Sequence, residues 1–325
     1  MLIAKAPFRI SFAGGGSDLR DFYSKNGYGA VLSTSIDKYM YIMIHPYFHD
    51  KIRIKYSRTE DVNDIDEIQH PLVRECLKEA GIEKGIEIAS IADVPAGTGL
   101  GSSSTFTVCL LHTLHGYKGK FVTKERLAKE ACKIEIEILK EPIGKQDQYA
   151  ASYGGLNYIQ FNSDESVLVE PIICKPGIKS RLERSLLMFY VGNERKAGQI
   201  LSEQKENMKQ NEKFELVKRV VMLAKDMKGS LNGGNIKNFG EILHEGWLLK
   251  KELASNISNP MLDKYYEKAL KAGAVGGKLL GAGGGGFFLF YCEPKYQNKV
   301  RRALDLREMK FKFDNEGSKI IYLGE

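Results

Sequence analysis

Ile86-Glu-Ile-Ala-Ser-Ile91-Ala-Asp-Val-Pro95-Ala-Gly97-Thr-Gly99-Leu100-Gly101-Ser102-Ser103-Ser104 holds a strand, a loop and a helix start in one short run. The run Ile86–Ile91, with β-branched Ile86, Ile88 and Ile91, predicts a strand, and the apolar residues after Ser104 predict a helix from about Ser102 to His115. Glycines between them let the backbone turn with its N–H groups facing inward, and a helix N-terminus adds roughly half a positive charge. That combination suits a phosphate. The hydroxyls of Ser102, Ser103 and Ser104 can cap the helix, bond phosphate oxygens or ligate Mg²⁺. A Gly/Ser turn that only caps a helix needs no ligand, but the strand–loop–helix context and three successive hydroxyls favour phosphate. No lysine precedes the serines, so this is not a Walker A loop. No acidic residue closes a second strand about 20 residues on, so it is not a dinucleotide fingerprint.

Upstream, Leu2–Phe12 alternates apolar and polar residues and runs into Gly14-Gly15-Gly16. Ala30–His45 and Lys51–Ser57, with Pro46 between them, are expected to form a hairpin. His70–Ala80 reads as a short helix closed by Gly81. Downstream, a helix over about Lys124–Lys140 is stopped by Pro142 and Gly144. Leu186–Val191 reads as a buried strand followed by two helices, the second with Phe214, Val217, Val220, Val221 and Ala224 on one face. Helices over Phe239–Leu253 and Met261–Ala272 follow, then a strand Phe287–Tyr291 and a helix Pro294–Asp305. Strands near Met309–Phe313 and Lys319–Leu323 close the chain. Its 325 residues favour two packed domains. The apolar pattern loosens between Phe161 and Ser185, so the expected domains are 1–172 and 173–325.

Two more glycine loops matter. Gly281-Ala-Gly283-Gly284-Gly285-Gly286 lies between apolar strands, where four successive glycines are costly unless something must approach the backbone closely. Ala13–Gly16 leads into Ser17 and Asp18, a hydroxyl and a carboxylate suited to sugar hydroxyls. Acids come from Glu135, Glu137 and Asp147. On spacing alone each suits a solvated helix face. Phosphoryl transfer, however, needs a metal ligand, a charge stabiliser and a group that positions the attacking hydroxyl. Glu135 can ligate Mg²⁺ opposite a loop serine, Asp147 can take the hydroxyl proton, and Arg9 can offset phosphate charge.

A formal net charge of +7 raises the question of nucleic acid. From Arg195 to Lys228, however, the basic residues are interleaved with Glu203, Glu206, Glu212, Glu215 and Asp226, the mark of a solvated helix face. No nucleic-acid partner is expected. Neither is a membrane, because no apolar run approaches the roughly 20 residues of a spanning helix. The segment MLIAKAPFRISF lacks a signal-peptide h-region, so a cytoplasmic location is expected. Five scattered cysteines with no CxxC spacing predict free thiols and neither disulfide nor zinc site.

Taken in order, Ala6-Pro7-Phe8-Arg9-Ile-Ser-Phe-Ala-Gly14-Gly15, Pro95–Ser104 and Lys278–Gly286 resemble the three motifs of the GHMP kinase family. The resemblance implies an α+β fold with an N-terminal ribosomal-protein-S5-like α/β domain, a ferredoxin-like C-terminal domain, and the active site between them. It implies ATP and Mg²⁺, with ATP phosphates on Pro95, Gly97, Gly99, Leu100, Gly101, Ser102, Ser103 and Ser104. The Glu135–Gln148 segment is similar to that of galactokinases, which implies Glu135 as metal ligand, Asp147 as catalytic base and Arg9 as active-site arginine. Ser102 or Ser103 would complete the metal site, Ser103 by preference. Galactokinases carry Gly-Glu-His where this chain has Gly14-Gly15-Gly16-Ser17-Asp18. That version, with Ser35–Tyr39 and Gly277–Gly286, resembles the D-glycero-D-manno-heptose 7-phosphate kinases. The kinase half of bifunctional fucokinases is similar, but it accompanies a pyrophosphorylase region not present in this sequence.

The implied reaction is phosphorylation of the anomeric O1 of a heptose 7-phosphate to the 1,7-bisphosphate, by a monomer or homodimer. Substrate contacts would fall to Gly15, Gly16, Ser17, Asp18, Gly283, Gly284 and Gly285. Arg195 and Lys196 are first candidates for the distal phosphate, ahead of Lys5 and Arg20. A catalytically silent, ligand-sensing relative would be expected to lack the acid or the metal ligand, and this chain keeps both.

Overall fold

Leu2, Ala4, Ala6, Phe8, Ile10 and Phe12 recur at the period of a strand and are all buried, forming β1 (Leu2–Ala13). The computed structural model describes residues 1–192 and 197–324. After β1 come α1 (Arg20–Asn26), β2 (Tyr28–Pro46), β3 (Ile52–Lys55), β4 (Thr59–Val62), α2 (Pro71–Ala80) and β5 (Ile86–Ala92). α3 (Ser102–Tyr117) packs on β1 and β2 and is buried almost from end to end. α4 (Lys124–Cys132) runs into a π-helical turn, Lys133–Ile138, and α5 (Gln146–Tyr153), β6 (Leu156–Asn162) and β7 (Val167–Pro171) follow.

β2 is the spine of this first sheet. β1 pairs along one of its edges, while β6 and β5 share the other. The expected hairpin of β2 with β3 is corrected here. β5 enters between them, antiparallel to β2 and parallel to β3, which in turn forms a hairpin with β4. The connection after β2 is tied to Gly85, whose carbonyl accepts from Tyr47 N at 2.8 Å and whose N–H donates to Lys51 O at 2.9 Å. β5 is thereby fed into the gap, and Ile44, Ile88 and Ile54 fall in register on the buried face.

The second half contributes α6 (Ile178–Arg184), β8 (Leu186–Gly192), α7 (Ala197–Asn207), α8 (Asn211–Asn232), α9 (Phe239–Lys251) and α10 (Pro260–Lys271). β9 (Gly276–Leu279), β10 (Gly286–Tyr291), α11 (Pro294–Leu304) and β11 (Arg307–Glu308) follow. The sheet order β11-β8-β10-β9, antiparallel throughout, is the ferredoxin-like arrangement. On α8, Val217, Val220, Val221 and Ala224 are buried as expected, and Phe214 packs on Phe22 at 4.8 Å between ring centres. Its exposed residues form ion pairs such as Lys218–Glu215 and Arg219–Glu245, a solvated face of mixed sign.

The last strands depart from the expected division at 172/173. β12 (Phe313–Asp314) pairs with β2, and β13 (Lys319–Leu323) pairs with β1, so both belong to the first sheet. The strand expected near Met309–Phe313 is corrected: residues 309–312 are not in a strand, and the two-residue strands β11 and β12 flank them, one in each sheet. All five cysteines are free, and no helix among the described residues is long and apolar enough to cross a membrane.

Candidate active site

A cleft of ≈ 270 Å³ opens where the first sheet's glycine loops meet the C-terminal half. Gly101 caps α3 with no side-chain acceptor, which leaves the first-turn N–H groups of Ser102, Ser103 and Ser104 at the cleft wall. The opposing loop, between β9 and β10, touches this one backbone to backbone. A Cβ on Gly99 would lie 2.4 Å from Leu280 O, and one on Gly281 would lie 2.3 Å from Gly99 Cα. What approaches these glycines is therefore the chain's own second loop. Gly283 and Gly285 still line the cleft.

Arg9 extends from β1 beneath this contact at 4% exposure. Its Nε and Nη2 donate to Asp147 Oδ1 and Oδ2, each at 2.7 Å, and its Nη1 donates to Gly99 O at 2.6 Å. Asp147 lies in the first turn of α5. Two separate sequence motifs thus form one bidentate pair at the cleft.

Glu135 sits in the π-helical turn with no exposed surface. Ser103 Oγ donates to its Oε1 at 2.9 Å and Gln148 Nε2 to its Oε2 at 2.6 Å. Burial pushes its carboxyl up to about 7, against hydrogen bonds from Ser104, Gln148 and Ser103, and the charge of Asp147 adds to the rise. A carboxylate and a hydroxyl in contact, the hydroxyl at the cleft and the carboxylate behind it, are hard oxygen donors that fit Mg²⁺. Among the described residues no cluster of three or more His, Cys, Asp or Glu offers a closed metal cage. Mg²⁺ does not require one when phosphate oxygens supply the rest.

Asp18 lines the cleft and is held by Gly16 N at 3.0 Å and Gln146 N at 3.3 Å. Gly144 lets it approach, since a Cβ there would lie 2.0 Å from Asp18 Oδ2. Burial first and Asp147 second push its carboxyl up to about 6, against those backbone bonds. Gly15 and Gly16 line the cleft too, but Ser17 does not reach it. The Ser17 hydroxyl is buried, accepts from Ala30 N at 3.0 Å and faces the carbonyls of Gly14 and Ala30. Its expected substrate contact is corrected to a brace for the glycine turn.

The remaining candidates divide. Pro95, Leu100 and Gly284 are not among the lining residues, and the Leu100 side chain is in the core while its carbonyl accepts from Arg9 N at 3.2 Å. Lys5 stacks over Tyr39 at 3.8 Å, and Arg20 pairs with Glu165 at 2.8 Å, both away from the cleft lining. Arg195 and Lys196 lie outside the described residues. Sequence reasoning missed Gln146 and Ser11, which line the cleft, and Gln148 behind Glu135. It also assigned no role to Lys250 or Lys278. Lys278 carried a signal, a lone charge in an apolar, glycine-rich strand, whereas Lys250 looked like any basic helix end.

The sequence pattern of the GHMP kinases N terminal domain matches residues 69–155, spanning the α3 loop, Glu135 and Asp147. That of the GHMP kinases C terminal domain matches residues 225–310. The chain belongs to the GHMP kinases. As a member of that family it is a phosphotransferase. A D-glycero-alpha-D-manno-heptose 7-phosphate kinase of Campylobacter jejuni is 28% identical over 97% of this chain and 97% of its own length. A bifunctional fucokinase/GDP-fucose pyrophosphorylase of Arabidopsis thaliana is 27% identical over 91% of this chain and 30% of its own length. Among solved structures, a D-glycero-D-manno-heptose 1-phosphate kinase from Bacteroides thetaiotaomicron superposes with a TM-score of 0.80 at 28% identity, covering 100% of both chains.

Proposed function

We propose that this GHMP kinase transfers the γ-phosphoryl group of ATP to the anomeric O1 of D-glycero-D-manno-heptose 7-phosphate, giving the 1,7-bisphosphate for nucleotide-activated heptose in the cytoplasm. The observation that carries the reading is the Arg9–Asp147 pair beside both the α3 loop and the Gly14–Gly16 turn, in a chain similar over its length to a heptose 7-phosphate kinase. ATP phosphates would take the first-turn N–H groups of α3. The sugar would lie against Gly15, Gly16 and Asp18. Its O1 attacks the γ-phosphorus, its proton passes to an Asp147 oxygen, and ADP leaves. Arg9 fixes the plane of that carboxylate and still leaves each oxygen a lone pair. Ser103 and Glu135 would hold Mg²⁺, which when bound neutralises charge on the phosphate oxygens.

Coupled ADP release over a panel of sugars tests this. Heptose 7-phosphate is expected to turn over with kcat/KM at least tenfold above free heptose, fucose and galactose. Preference for fucose would favour the fucokinase-like reading, and activity confined to unphosphorylated sugars would overturn the 7-phosphate assignment.

A further inference from the structure

Two lysines in the wall of the cleft take no part in the roles above. Lys250, in the last turn of α9, aims its Nζ at the carbonyls of Leu279 and Gly281, at 2.9 and 2.5 Å. Lys278, in β9, is buried and donates to Phe12 O at 3.1 Å, reaching from the second sheet to β1 of the first. Both line the cleft. Neither has a carboxylate at ion-pair distance among the described residues, although Lys278 is buried and buried charges are ordinarily paired. Arg9, the third cation lining the cleft, is already committed to Asp147 and Gly99.

An ammonium has three N–H groups. Lys250 commits two and Lys278 one, so three remain for a ligand's oxygens. Burial, followed by the charge of Arg9, pulls the Lys278 amine down to about 7. Burial, then Lys278 and Arg9, pulls Lys250 well below the ordinary lysine range. An anion in a cleft lined by both amines favours their protonated forms, and a phosphoryl dianion can accept hydrogen bonds from each.

We propose that Lys250 and Lys278 form a second phosphoryl-binding site in the cleft, their uncommitted N–H groups taking the oxygens of a terminal phosphate. The inference rests on the kinase reading of the cleft and adds residues to it from the C-terminal half. Two sources share this chemistry: the γ-phosphate of the nucleotide and the acceptor's own phosphate.

Calorimetric titration of wild type, Lys250→Met and Lys278→Met separates them, using Mg-ADP, its β,γ-imido triphosphate counterpart, heptose 7-phosphate and free heptose. A loss of tenfold or more for the triphosphate analogue with ADP unchanged assigns the site to the γ-phosphate. The same loss for heptose 7-phosphate with free heptose unchanged assigns it to the acceptor. Affinities within twofold of wild type for every probe, or equal losses for phosphorylated and unphosphorylated partners, overturn the proposal. Lysine footprinting by mass spectrometry on the wild-type protein needs no variant to fold. The triphosphate analogue or heptose 7-phosphate is expected to protect Lys250 and Lys278 where ADP and free heptose do not, and protection by neither overturns the site. If wild type fails to phosphorylate heptose 7-phosphate but the triphosphate discrimination holds, the substrate reading falls and this site stands.

Discussion

The guanidinium of Arg9 and the carboxylate of Asp147, 138 positions apart in sequence, meet through two 2.7 Å hydrogen bonds. A third bond, from Arg9 Nη1 to Gly99 O, ties the same guanidinium to the α3 loop. Carboxylate and loop therefore move together, which a lysine with its single point of attachment would not achieve. Asp147→Asn is expected to lower kcat by about 10²–10⁴, the usual worth of a positioned base, with binding of an ATP analogue within a few-fold of wild type. Steady-state kinetics paired with calorimetry check it, and normal turnover would remove the base assignment.

Glu135 gives a pH dependence whose sign is fixed by burial. Its carboxyl titrates at about 7 in the folded chain against an ordinary 4.5, and Mg²⁺ requires the ionised form. Apparent Mg²⁺ affinity is expected to rise from pH 6 to pH 8 in wild type. In Glu135→Gln it is expected to be weaker and flat, as read by titrating Mg²⁺ at fixed nucleotide.

The same shift affects folding. Between about pH 4.5 and 7 the folded chain holds a proton at Glu135 that the unfolded chain has lost, so unfolding free energy falls as pH rises through that window. Asp18 adds the same sign between 3.8 and about 6. Each contributes on the order of 3 kcal/mol at most. Urea melts from pH 5 to pH 8 measure the slope, which Glu135→Gln is expected to reduce.

Gly281→Ala tests the contact between the two loops. The new Cβ would fall 2.3 Å from Gly99 Cα, at a residue whose φ is +71°. Strain and displacement together are expected to cost about 2 kcal/mol or more. Chemical denaturation reads the loss, and KM for ATP is expected to rise with it.

Ser17→Ala separates a brace from a substrate contact. Removing a buried hydroxyl that partners Ala30 N is expected to cost about 1–3 kcal/mol. KM for the sugar is expected to stay within about threefold of wild type. A large KM change at unchanged stability would restore the hydroxyl to the substrate.

Local patterns were legible in the sequence and tertiary ones were not. The α3 loop sits in a strand–glycine–serine run that suggests phosphate by itself, whereas Glu135 and Asp147 on spacing alone suit a solvated helix face and, with Arg9, were assigned their roles through the resemblance. α5 escaped notice because Gln148, Tyr149, Ala150, Ala151 and Ser152 are all buried, leaving no polar face to set a period. The entry of β5 between β2 and β3 depends on Gly85 meeting the end of β2, a contact that no local window contains. Lys250 was hidden for a related reason. Its neighbour Lys251 forms an ordinary surface pair with Asp263, and only packing against the Gly281 loop distinguishes the two.

The return of β13 to β1 sets an order on biosynthesis. Leu2 pairs with Leu323, so the outer edge of β1 stays open until β13 has been synthesised. A nascent chain arrested anywhere in the second half would present the bare edge of β1, a template for strand addition by other chains. Premature termination should therefore yield a product prone to aggregation and degradation, rather than a nucleotide-binding half that survives alone.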